Sequence, residues 1–170
     1  TLGNVTIVAD QNLTLDTANT GAGAISVTSI TGVAAGTAEN VTLKSGSGTI
    51  TVTGNIGTGI GTLTLQENNA GATGAVSLQG SVAATDLTTF GQAYGVALTG
   101  GATITNAVSF LNTGTTQLGD ASADTSTFTG GVTANAGAVT AAGTIATTDQ
   151  AITLGNVTIV ADQNLTLDTA

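Results

Sequence analysis

The chain has 170 residues, and ten acidic residues set against one base, Lys44, give a formal charge of -9 at pH 7. That balance argues against nucleic acid as a partner, because phosphate binding needs clustered Lys and Arg, and an anionic surface is repelled from anionic lipid as well. Charged residues make up only 6% of the chain and hydrophobic ones 41%, the reverse of a disordered acidic tail, while the scarcity of aromatics points to a narrow core of Ala, Val, Ile and Leu.

The elements follow in chain order as short runs of period-2 alternation. In NVTIVAD, Val5, Ile7 and Ala9 share one face, and Leu13 and Leu15 continue the pattern in NLTLDT. Similar runs occur at 24–27, 40–45, 48–56, 62–67, 74–82, 95–98, 107–111 and 151–159. No window holds apolar residues at helical spacing, and most of the 25 glycines fall between the runs or at their edges. Proline is absent, as suits strands that must both donate and accept in parallel ladders. At the end of the chain, residues 153–170 repeat residues 1–18 letter for letter with no linker. Residues 1–152 therefore read as one complete tandem repeat and 153–170 as the start of the next identical unit, which is expected to continue Asn-Thr-Gly as at 19–21.

Two shorter phrases alternate inside the unit. One is a polar residue followed by φ-T-φ, with φ apolar: NLTL at 12, NVTL at 40, TLTL at 62, and a degraded DLTTF at 86. The other, Gly-small-φ-[ST]-φ-x-Gly-x-φ, starts at Gly48, Gly74 and Gly137, with a shortened copy at Gly23. One of each per 20–28 residues predicts an all-β chain folded as a parallel β-helix (β-solenoid), with about seven coils per 152-residue repeat. At about 4.8 Å per coil such a unit is roughly 34 Å long, and the two copies of the 18-residue segment should share one axis. An immunoglobulin-type sandwich would instead show more even strand spacing and a large aromatic anchor.

These Gly-small-φ-[ST]-φ phrases and N-φ-T-φ strands, the Thr, Ala and Gly bias and the long tandem unit resemble the filamentous haemagglutinin-like and autotransporter-type adhesins of bacterial surfaces. The resemblance covers the whole unit. It implies a right-handed parallel β-helix, secreted across an outer membrane and displayed as a fibre or stalk.

Candidate sites are few. In LGDASADTST, Asp120 and Asp124 could offer oxygen ligands to a hard cation such as calcium, but the repeated nonapeptide of calcium-binding β-rolls is not found, and a solvated turn is the alternative. Phe90 and Tyr94 in TFGQAYG are the aromatic pair closest in sequence; exposed, they could stack on a sugar ring, and buried, they would pack a turn or the core. Thr-x-Thr steps at Thr49, Thr51 and Thr53 and at Thr62 and Thr64 could order water if they stacked regularly, and Asn4, Asn12 and Asn40 begin N-x-T sequences that double as strand starts. With neither Cys nor His, the chain has no thiolate nucleophile, no soft-metal ligand and no general base of the usual kind. No apolar run approaches the roughly 18 residues of a membrane span.

The expectation is thus a structural repeat of a very long secreted or cell-surface protein, forming the shaft of an extracellular filament, adhesin or sheath. A glycan-binding module is the alternative. No catalytic residues and no cofactor are expected. Neighbouring repeats are the expected partners, with lateral self-association into fibres as a further one.

Overall fold

A computed structural model describes residues 1–18, 22–33, 37–66 and 71–170. Residues 19–21 and Glu67 of the 62–67 run lie outside the described residues. Among the described residues every regular element is a strand, and every strand pairing is parallel. The first coil carries β1 (Leu2–Thr6) and β2 (Leu13–Asp16), and the second carries β3 (Ile25–Thr31) and β4 (Glu39–Lys44). The third has β5 (Ile50–Val52), β6 (Ile56–Gly57) and β7 (Ile60–Leu65); the fourth has β8 (Val76–Leu78), β9 (Val82–Ala84) and β10 (Asp86–Thr88). The fifth has β11 (Val96–Leu98), β12 (Ala102–Ile104) and β13 (Val108–Ser109); the sixth has β14 (Thr116–Leu118), β15 (Thr125–Phe128) and β16 (Val132–Ala134). The seventh has β17 (Val139–Ala141), β18 (Gly143–Ala146) and β19 (Ile152–Leu154), and β20 (Val157–Ile159) and β21 (Leu165–Asp168) begin an eighth.

These coils stack as a β-solenoid with three faces. The first face runs from β3 through β5, β8, β11, β14 and β17 to β20, and the second from β3 through β6, β9, β12, β15 and β18 to β21; the long, bent β3 belongs to both. The third face is formed by β2, β4, β7 and β10 and, beyond a break, by β13, β16 and β19. Each sequence phrase has its own side. The φ-T-φ strands at 12, 40, 62 and 86 become the third face, in register as Leu13, Val41, Leu63 and Leu87. The glycine phrases at 48 and 74 supply the first two faces, so that Ile50 lies beside Val76, Val52 beside Leu78, and Ile56 beside Val82.

Alternation places one side chain of every pair inside, and stacking turns those positions into continuous apolar columns. On the first face Val27, Val52, Leu78, Leu98, Leu118 and Ala141 succeed one another, all buried. Each coil covers its neighbours, so the burial that stabilises the fold, about 25 cal/mol per Å² of apolar surface, comes from stacking. Glycine marks the corners because the rungs approach too closely for a side chain. A Cβ on Gly74 would lie 1.8 Å from the Gly48 carbonyl oxygen, and one on Gly80 2.3 Å from the Gly54 carbonyl carbon.

The break in the third face coincides with the aromatic residues. Phe110 and Phe128 are buried edge to face with ring centroids 6.2 Å apart, and Tyr94 is fully buried. Where the ladder between β10 and β13 is missing, the Thr89 hydroxyl spans it, donating to the Ser109 carbonyl (3.2 Å) and accepting from the Leu111 N–H (2.8 Å).

Candidate functional surfaces

The identical segments 1–18 and 153–170 do not occupy equivalent places. Locally they are alike: Asp10 and Asp162 both adopt left-handed backbone, at φ 62° and 61°, and the turn N–H bonds from Gln11 to Val8 and from Gln163 to Val160 match at 3.2 and 3.1 Å. In both copies the Leu residues of NLTL point inward. Yet Leu13–Asp16 lies on the third face beside β4, whereas Leu165–Asp168 lies on the second face beside β18. Likewise Val5 pairs with Ile30 on the second face and Val157 with Val139 on the first. From one copy to the next the chain therefore advances seven turns less one face, or six and two-thirds turns.

Each copy also has one covered side and one open side. The first is covered by β3 and β4, and Ile7 is 5% exposed; the second is covered by the seventh coil from the other direction, and its equivalent Ile159 is 49% exposed. Ile152, Leu154, Val157, Ile159, Leu165 and Leu167 line an open apolar end face. At the opposite end a smaller recess is lined by Leu2, Leu15 and Ile25 among polar neighbours. Polar order runs along the shaft between them. Outward Thr14, Thr42, Thr64 and Thr88 stack in one rank on the third face, and beside it the Asn12 Oδ1 accepts the Asn40 N–H while the Asn40 Oδ1 accepts the Thr62 N–H, both at 2.9 Å. The rank is single, since its neighbouring outward positions hold Asn12, Asn40, Thr62 and Asp86.

The aromatic pair is divided between the core and a turn. Tyr94 is fully buried, its hydroxyl donates to the Leu65 carbonyl (3.2 Å) and accepts the Phe90 N–H (2.7 Å), and burial pushes its phenol above the ordinary value. Phe90 is partly buried at the turn that this bond closes. Tyr94 is thus not exposed for stacking on a sugar ring.

At the acidic turn, the Asp124 Oδ2 accepts the N–H groups of both Asp120 (2.9 Å) and Ala121 (2.8 Å), so this oxygen is occupied in holding the turn. Asp120 is raised above the usual carboxylate range, chiefly by burial and then by the neighbouring Asp124 charge. Among the described residues no group of three or more acidic side chains converges as a metal site would require. Lys44 stands 3.2 Å from Asp16, joining the third-face strands of the first two coils.

Sequence reasoning missed a buried polar column at the corner between the third and first faces. Gln66, fully buried and in left-handed backbone at φ 57°, accepts the N–H groups of Ser45 (3.0 Å) and Gly46 (3.2 Å) and donates to the Ser45 hydroxyl (3.2 Å). Two coils on, the buried Asn112 donates to the Tyr94 carbonyl and the Thr116 hydroxyl. The only sequence signal was a Gln or Asn just beyond a strand of inward apolar residues. Compared with protein-family models, with curated protein sequences and with solved structures, the chain matches none.

Proposed function

We propose that the chain is a structural repeat of a very long secreted or cell-surface protein and forms part of the shaft of an extracellular filament, adhesin or sheath. One observation carries the reading: an identical 18-residue segment closes one end of the described column and begins a new coil at the other. A solenoid whose repeated segment meets a rung on either side lengthens without a linker and without exposing internal strand edges, and its function is then mechanical spacing. The polar, largely uncharged Thr and Asn ranks along the shaft suit long exposure to water. Burial of Tyr94 withdraws the feature that favoured sugar binding by this unit. Membership of the adhesin group that the sequence resembles is part of this proposal.

The test is to raise antibodies against the exposed turn around Asp120 and apply them to intact cells that make the protein, with immunogold labelling. The expected result is label along fibres outside the cell. Label confined to permeabilised cells would overturn the reading.

A further inference from the structure

We infer that the open end face of β19, β20 and β21 is the seat for the strands Ile25–Thr31 and Glu39–Lys44 of a second copy of this unit, and that the copy enters turned by one face. The inference deepens the shaft reading and rests on it for the identity of the occupant. Three observations converge on that occupant.

First, the structure shows both neighbours of the repeated segment, one in each copy. In the first copy Leu2 lies beside Val27, Val5 beside Ile30, Leu13 beside Val41 and Leu15 beside Leu43. The same side chains in the second copy, Leu154, Val157, Leu165 and Leu167, point inward at the end face with no rung above them. Placing these two strands there continues the column as Ile145, Leu167, Leu43 and Leu65, the last two from the second copy.

Second, the charges match. Asp16 is met by Lys44, the single base of the chain, at 3.2 Å, and its register partner is Lys44. Asp168 is the same residue of the second copy, at an exposed position beside Ala146. The incoming Lys44 would lie opposite it.

Third, the outer surface matches in the turned register and not in the aligned one. Thr125, Thr144 and Thr166 form an outward rank on the second face. Because Thr14 is followed by Thr42, Thr64 and Thr88, the second copy's Thr42, Thr64 and Thr88 would extend that rank from three rungs to six. If the copies instead kept their faces aligned, Leu165–Asp168 would meet Ile30–Thr31, which would end the rank and leave Asp168 without its base. Turning by one face per unit brings the third unit beyond any given one back to the same side, after twenty turns or roughly 96 Å at about 4.8 Å per turn. Any feature present once per unit, such as the Asp120 turn, is thereby presented along three lines of the shaft.

The chain contains no cysteine, so introduced pairs report contacts unambiguously. Full-length Asp168→Cys chains are mixed with Lys44→Cys or with Thr31→Cys chains under mild oxidation, with Thr88→Cys, in the middle of the shaft, as background. Leu15→Asp is added to the Lys44→Cys and Thr31→Cys partners to loosen their own first copy, which must give way. The expected result is a several-fold excess over background of the disulfide that joins the Asp168→Cys chain to the Lys44→Cys chain, lost when Leu167→Asp is placed beside Asp168→Cys. An excess for the Thr31→Cys partner would overturn the turned register, and background yields throughout would overturn the seat; neither result bears on whether cells display the protein as fibres, which the immunogold label decides.

Discussion

Leu13 and Leu165 occupy the same position in two identical segments, yet Leu13 lies beside Val41 on the third face and Leu165 beside Gly143 on the second. Their local conformation is the same, down to the left-handed Asp10 and Asp162 that follow the preceding strand. The segment therefore carries its own turn and its own inward and outward alternation, while the face it occupies is set by the coil it stacks on. A three-faced solenoid tolerates this because all three faces ask the same of a strand: apolar residues at alternate positions and a ladder on each side.

The first prediction follows from that asymmetry of cover. Ile7→Ala removes a buried side chain and should cost about 2–4 kcal/mol, whereas Ile159→Ala, at the half-exposed equivalent, should cost less than about 1 kcal/mol. Because end coils can open locally, hydrogen exchange at the adjoining strands should accompany denaturant melts. In chains of several units the two substitutions should converge, since both positions are then covered on either side.

Corner glycines should be the least replaceable residues of the shaft. Gly74→Ala drives a Cβ into the Gly48 carbonyl and should cost about 3 kcal/mol or more, as backbone must shift across two rungs. Gly57→Ala meets only the Ala83 methyl at an ordinary 3.5 Å and should change the denaturation midpoint little.

The buried polar corner gives a third prediction. Gln66→Ala leaves the Ser45 and Gly46 N–H groups without their acceptor and should cost about 2–4 kcal/mol, since an unmet buried donor costs about 1–3 kcal/mol. Thermal melts should show that loss, and Gln66→Glu should recover part of it only at acid pH, where the added carboxyl is neutral.

Acid acts in opposite senses at two places. Asp10 is held below the ordinary carboxylate value by the Thr37 hydroxyl and N–H, and Asp16 by the Ala18 N–H and then Lys44. Their contribution is present above the unfolded value, about 3.9, and is lost as the pH falls through the folded one. Asp120 is raised, so its ionisation opposes the fold; that penalty is absent below the unfolded value and grows as the pH rises through the folded one. In denaturant melts Asp120→Asn should therefore stabilise at pH 7 and become neutral below about pH 3.5, while Asp10→Asn should destabilise at pH 7 and lose its effect in acid.

Much of the fold was legible because the phrases report geometry. An inward-outward-inward strand with Thr outside reads as a solenoid face, and Gly at a fixed offset reads as a corner where rungs touch. Legibility fails around 116–134, where Thr116 and Ser126 take inward positions that apolar residues hold in other coils. Thr116 is met there by the Asn112 amide, while Ser126 sits between Ala102 and Ile145. Alternation of hydrophobicity is hidden at such rungs, although the alternation of the backbone continues. The offset between copies was illegible for a different reason: identical letters cannot say which face they occupy. That is decided by how many residues each corner uses, and the third-to-first corner shortens from 89–95 after β10 to Gly155 and Asn156 after β19.

The most direct test is a cryo-electron microscopy map of a chain of four or more units, resolved well enough to trace each NLTL strand. The turned register places successive copies on the third, second and first faces, about 32 Å apart along the axis, with the fourth again on the third face. Copies that all lie on one face, a whole number of turns apart, would contradict it.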